Sequence, residues 1–115
     1  MPQITVTDTE FVVDLSKLEQ LAALTKSRSI PRSCITSARI DVDVLKHLGF
    51  RAPGTGMPGV IAAGTFYKQG DRQFVYWHKG ETPIVVELEH DKYDRLIIGL
   101  DPATAESVIE QLNAR

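Results

Sequence analysis

The sequence predicts a mainly β, α+β fold closed by one C-terminal helix, and three observations predict it. Short β-branched and aromatic runs follow one another from Val60 to Leu100, each set off from the next by a polar or glycine-bearing turn. Beyond Asp101-Pro102 the apolar spacing changes from that of a strand to that of a helix. Of the 115 residues, 43% are hydrophobic and 24% charged, an ordinary globular balance for one domain, 1–115, that needs no staples.

Each element has its own local reason. Ile4 and Val6 alternate with Thr5 and Thr7, and Asp8-Thr9-Glu10 turns the chain into Phe11-Val12-Val13-Asp14-Leu15, which reads as a hairpin. Ser16-Lys17-Leu18-Glu19 matches a capping box, with the Ser16 hydroxyl accepting from a backbone N–H and Glu19 reaching back. Leu15, Leu18, Leu21, Ala22 and Leu24 then predict a short amphipathic helix over 16–24. Lys26-Ser27-Arg28-Ser29 reads as a basic loop leading into Ile30 and Pro31. Ile35, Ala38, Ile40, Val42 and Val44 alternate from Ala38 onward with Arg39, Asp41 and Asp43, the period-two signature of a half-buried strand. Asp43 is placed to cap a turn or two through Leu45, Lys46, His47 and Leu48, ended by Gly49.

Residues 51–59, Arg-Ala-Pro-Gly-Thr-Gly-Met-Pro-Gly, crowd three glycines and two prolines together and predict an irregular loop with a particular path. Four strands are expected next, Val60 to Lys68, Gln73 to His78, Pro83 to Glu89 and Tyr93 to Leu100, paired in chain order as an antiparallel meander. Asp101 is a good N-cap and Pro102 suits the first helical position. Ala105, Val108, Ile109 and Leu112 form one apolar stripe, so 102–113 is predicted to be a helix lying on the sheet.

The order of hairpin, third strand, four-strand run and final helix resembles the pleckstrin-homology-like superfold, a bent sandwich or partial barrel of about seven strands with a C-terminal capping helix. The segment Arg51-Ala52-Pro53-Gly54-Thr55-Gly56-Met57-Pro58-Gly59-Val60-Ile61-Ala62 is similar to small bacterial PH-domain-like proteins of unassigned function. So are Ile84-Val85-Val86-Glu87-Leu88 and Tyr93-Asp94-Arg95-Leu96. The resemblance implies a scaffold that binds peptides or assembles through exposed strand edges. Its lipid-binding members hold phosphoinositides with a basic first hairpin loop, but that loop here is the acidic Asp8-Thr9-Glu10. The expectation is therefore no strong membrane or phosphoinositide binding.

Charge and cysteine content narrow the remaining classes. Thirteen basic residues against fifteen acidic ones give net −2, without the basic excess that dominates nucleic-acid affinity, so no nucleic-acid partner is expected. Cys34 is alone, which excludes an intramolecular disulfide framework. The start MPQITVTDTE has neither the charged nor the apolar region of a signal peptide, and a cytoplasmic location is the expectation.

The chemistry-bearing motifs are weak. Gly54-x-Gly56-x-x-Gly59 matches a dinucleotide fingerprint in letters only, since Pro58 and the strand-like Val60 follow where a helix is required. His47, His78, His90, Glu87, Glu89 and Asp91 lack metal-ligand spacing and read as solvated charge, so neither metal nor cofactor is expected. Cys34 precedes a strand-like run and reads as a small buried hydrophobe, and no catalytic residue is assigned. The candidate ligand-binding residues are Arg51, Gly54, Thr55 and Gly56 of the loop and the basic cluster Lys26, Arg28 and Arg32. Together these readings predict a non-enzymatic module that binds a protein or peptide or forms a homo-oligomer. The alternative is a small-molecule or acidic-ligand binder using Arg51 to Gly59. Self-association is expected through proline-free edge strands, with Ile4 to Thr7 and Tyr93 to Leu100 as candidates.

Overall fold

The computed structural model describes residues 3–17, 19, 27–47, 50–57 and 61–113, with 47 and 50–57 described by backbone alone. Nine strands and one long C-terminal helix are described. β1 (Gln3–Val6), β2 (Glu10–Asp14) and β3 (Arg28–Pro31) form a small antiparallel sheet in the order β1-β2-β3. The larger sheet is built from β4 (Ile35–Ile40), β5 (Phe50–Met57), β6 (Ile61–Lys68), β7 (Asp71–His78), β8 (Thr82–Leu88) and β9 (Arg95–Leu100). Its order is β4-β8-β9-β7-β6-β5. Helix α1 (Pro102–Asn113) closes the structure. No described helix is long and apolar enough to cross a membrane.

The first hairpin forms as its alternation predicts, with Ile4 opposite Val13 and Val6 opposite Phe11. The capping box is made: Ser16 N–H donates to Glu19 Oε1 at 2.8 Å, and Glu19 N–H donates to Ser16 Oγ at 3.2 Å. Most of the helix expected over 16–24 lies outside the described residues. Asp101 caps α1 by accepting from Thr104 N–H at 2.8 Å. Hydrogen bonding to Thr104, chiefly through the side chain, holds the Asp101 carboxyl below the usual aspartate range. The cap's contribution is therefore present above the unfolded aspartate pKa and is lost as pH falls through the lowered folded value. Ala105, Val108 and Leu112 are buried as the stripe requires, while Ile109 is half-buried against the same core.

Several expectations are corrected. Segment 50–57 is a strand: despite Pro53 and its glycines it pairs antiparallel with β6, with a register shift between Arg51 and Gly54. Pro53 falls within that irregular stretch, where a missing N–H breaks no ladder bond, and β5 is an edge. Arg28 to Pro31 is also a strand, paired with β2, where a basic loop was expected. The third strand stops at Ile40, and Val42 is 66% exposed. The following 3-10 helix, Val44–His47, starts from an Asp41 turn, because Asp41 Oδ1 accepts from Asp43 N–H at 3.1 Å. The tally of about seven strands thus rises by β3 and β5.

The meander is broken between β7 and β8. β6 and β7 do form a hairpin across Gln69 and Gly70, both with positive φ (51° and 87°), the two-residue turn that matches strand twist. At the next turn the Glu81 carboxylate accepts the His78 N–H at 2.7 Å, and the Trp77 indole N–H donates to Glu81 O at 2.9 Å. The chain then leaves β7, and β8 pairs with β4 and β9. β9 enters between β8 and β7 and runs parallel to β7, with Gln73 opposite Arg95 and Tyr76 opposite Ile98. Asp94 guides this insertion: its N–H donates to Arg72 O at 2.7 Å, and its carbonyl accepts from Leu88 N–H at 2.9 Å.

The central strands are buried on both faces. One face of the large sheet packs with Phe11, Val13 and Ile30 of the small sheet and with Ala105, Val108 and Leu112 of α1. On the other face Ala62, Phe66, Val75, Val85 and Ile97 form a second core, with Val44 and Leu45 against it. That is why the Leu96 to Ile98 and Ile84 to Val86 runs are continuously apolar.

Candidate functional site

Edge strands carry backbone groups that a sheet leaves unpaired, so they are where a mainly β module meets a polypeptide. Among the described residues the sheet orders make β1, β3, β4 and β5 the edges, whereas β9 is interior, which removes the Tyr93 to Leu100 candidate. β3 is blunted by Pro31 at its end. β1 turns Ile4 and Val6 against the core. Among the described residues the large exposed apolar side chains are Ile40, Val42 and Tyr67, and the first two lie on and just beyond β4.

The backbone of β4 can be sorted residue by residue. Asp41 N–H donates to Pro83 O at 3.2 Å, and Arg39 lies opposite Val85 in the same ladder. Successive residues of an antiparallel strand direct their N–H and C=O groups to opposite sides, so Arg39 and the Asp41 N–H face β8 while Ala38 and Ile40 face away. Asn113, at the end of α1, agrees with this parity by donating its side-chain N–H to Ala38 O at 3.3 Å. The Ala38 N–H and both Ile40 groups point outward along the free edge.

A groove of about 230 Å³ runs beside that edge, lined by Arg32, Ile35, Thr36, Ser37, Ala38, Leu112 and Asn113. Its floor is the strand and its wall the last turn of α1. No family model matches the chain, and neither a curated protein nor a solved structure does. The reading of the site therefore stands on its geometry.

The residues singled out from the sequence take other positions. Lys26 lies outside the described residues. Arg28, on β3, donates through Nη2 to both Asp91 oxygens at 2.8 Å, with the two side chains 19% and 13% exposed. Its guanidinium stands 5.1 Å from the buried Tyr93 ring centroid, which Arg72 at 5.3 Å and Lys92 at 5.7 Å also approach. Asp91 further accepts from Tyr93 N–H at 3.0 Å, and the Tyr93 hydroxyl meets Thr65 Oγ1 at 3.1 Å. Arg28 thus fastens the β8–β9 loop to the small sheet. Arg32 donates to Thr7 O at 3.1 Å and to Gln111 O at 3.0 Å, tying the first hairpin to α1. Arg51, Gly54, Thr55 and Gly56 lie on β5, opposite Phe66, Gly64, Ala63 and Ala62.

A second hollow, about 240 Å³, opens beside the second core and is lined by charged groups including Arg39, Asp41, Asp71, Glu87 and Arg95. These charges answer one another. Arg95 donates to Glu87 at 3.0 Å, to Gln73 at 2.9 Å and to Asp71 at 3.1 Å. Arg39 donates to Glu87 at 3.1 Å. The row Glu87, Arg95, Gln73 crosses three neighbouring strands and holds the inserted β9 in register.

Sequence reasoning missed the β4 edge. The signal was present in the alternation Arg39, Ile40, Asp41, Val42, which contrasts with the unbroken apolar runs of the central strands.

Proposed function

We propose that the protein is a non-enzymatic binding or assembly module that takes up an extended polypeptide segment at the free edge of β4. The observation that carries this reading is the outward-facing Ile40 N–H and C=O, on an edge whose Ile35 to Ala38 stretch borders a groove and whose Ile40 and Val42 side chains are exposed. Strand addition supplies affinity through such main-chain bonds and specificity through alternate side chains. The Asn113 amide already donates to Ala38 O, the kind of bond an added strand would make. A PH-like placement of the scaffold is supported by two sheets and a C-terminal helix. The parallel β7–β9 pair departs from an all-antiparallel plan.

Proline tests the reading. Ile40 directs its N–H away from β8, so Ile40→Pro removes an outward donor while leaving the β8 ladder intact. Peptides selected from a random library on the immobilised protein are expected to bind wild type and Ile40→Thr, which keeps the N–H, and to lose binding to Ile40→Pro. Recovery of no peptide, or of peptides indifferent to the proline, overturns the proposal.

A further inference from the structure

We infer that the segment the β4 edge takes up is the β4 edge of a second copy of this chain, paired antiparallel about a two-fold axis at Ile40. This inference rests on the strand-addition reading above and names its partner. Two independent properties of β4 select it.

The first is backbone parity. Ile40 faces outward with both its N–H and its C=O, so Ile40 opposite Ile40 of the second copy exchanges two main-chain bonds in a narrow pair. The side chain of Ile40, 39% exposed, then covers its own twin. Ala38, whose N–H also faces outward while Asn113 holds its carbonyl, comes opposite the turn residue Val42 of the second copy, so the 66% exposed Val42 gains a neighbour.

The second property is charge. Centring the pair on Ile40 places Arg39 opposite Asp41 of the second copy and Asp41 opposite its Arg39. These are non-hydrogen-bonded positions, where cross-strand side chains approach most closely. Arg39 and Asp41 are each partly solvent-exposed, at 46% and 33% of their side chains, and lie 3.8 Å apart within one chain. Any other register that keeps Ile40 bonded must slide by two residues. Sliding one way sets Arg39 against Arg39, and sliding the other sets Asp41 against Asp41. Of these, the centred register alone sets no like charges opposite each other.

The product is an isologous, closed dimer in which two six-stranded sheets become continuous. The paired stretch is short, because the chain turns at Val42 and Asp43. The contact is therefore a small one, below about 1,200 Å² in total, and of transient strength.

Sedimentation over roughly 10 to 500 µM, the range suited to a small interface, reads it out. Wild type is expected to shift from the 12.8 kDa monomer toward the dimer. R39D and D41R each place like charges opposite at both symmetric positions and are expected to weaken association about tenfold. Mixing R39D with D41R restores it, because each altered position then meets an opposite charge. The double variant R39D/D41R restores it alone, and thermal unfolding of each variant reports whether it is folded. A monomer throughout the range overturns the second-copy inference. Strand addition survives that result if selected peptides still discriminate Ile40→Pro. A dimer indifferent to the charge exchange and to Ile40→Pro forms elsewhere and overturns the second-copy inference, and the peptide test then decides strand addition separately.

Discussion

β9 and β4 belong to one sheet and have the same length, six residues, yet differ in nearly every physical respect. β9 lies between β8 and β7 and buries Leu96, Ile97, Ile98 and Leu100 to within 1% of complete. Among the described residues β4 has a neighbour strand on one side only, and Ala38 is its one buried residue. The difference shows how to read an apolar run. A strand that is apolar at every position, with no proline, is a strand with cores on both faces. A strand that alternates apolar and charged positions has water on one face, and it is the better candidate for an edge. Absence of proline says less than absence of alternation.

The contrast can be broken most directly in β9. Ile98 is fully buried, opposite Ile84 of β8 and Tyr76 of β7. Ile98→Ala is expected to cost about 2–5 kcal/mol in denaturant unfolding, the range for a large-to-small change in a tight core. A loss under about 1 kcal/mol would falsify the placement of β9 between two cores, since such a small cost belongs to a half-exposed position.

A smaller effect is expected one residue on. A Cβ at Gly99 would stand 2.5 Å from Glu81 Oε1 and 2.8 Å from Trp77 Cδ1. Glu81 is not free to swing aside at no cost, because Oε1 holds the His78 N–H. Gly99→Ala is expected to destabilise by about 1–3 kcal/mol, as overpacking does. Unchanged stability would show that the Trp77–Glu81 turn gives way easily.

The smallest effect belongs to the edge. Ile40→Thr keeps the branch at Cβ and the outward N–H, and is expected to change monomer stability by no more than about 0.5 kcal/mol. Measured beside Ile98→Ala in dilute protein, it sharpens the comparison. A large loss at Ile40 would mean that β4 is covered in the monomer.

Much of the fold was legible in the letters. The hairpin over 3–14 needs only β-branched alternation and a polar turn. The Ser16–Glu19 box and the Asp101 cap are local side-chain-to-backbone bonds, readable from spacing of three residues. The candidate site was less legible. Arg28 and Arg32 looked like a free basic cluster, but their acceptors, Asp91 and the Thr7 and Gln111 carbonyls, lie far along the chain. Segment 50–57 looked too rich in glycine and proline for a strand, yet at an edge with a register shift a strand tolerates both.

Residue order settled the elements whose hydrogen bonds close within a few positions: the hairpin turn, the helix caps, and the apolar stripe of α1. Tertiary structure alone decided which strand lies beside which. β8 is followed by a turn whichever neighbour it takes, and its main-chain groups pair as well with β7 as with β9. What tips the choice is the pull of two cores on the Leu96 to Leu100 run, together with the Asp94 bonds to Arg72 and Leu88 that admit β9 between them. Those terms connect residues distant in sequence, and no local pattern encodes them. By making β9 interior, the same choice left β4 at the edge.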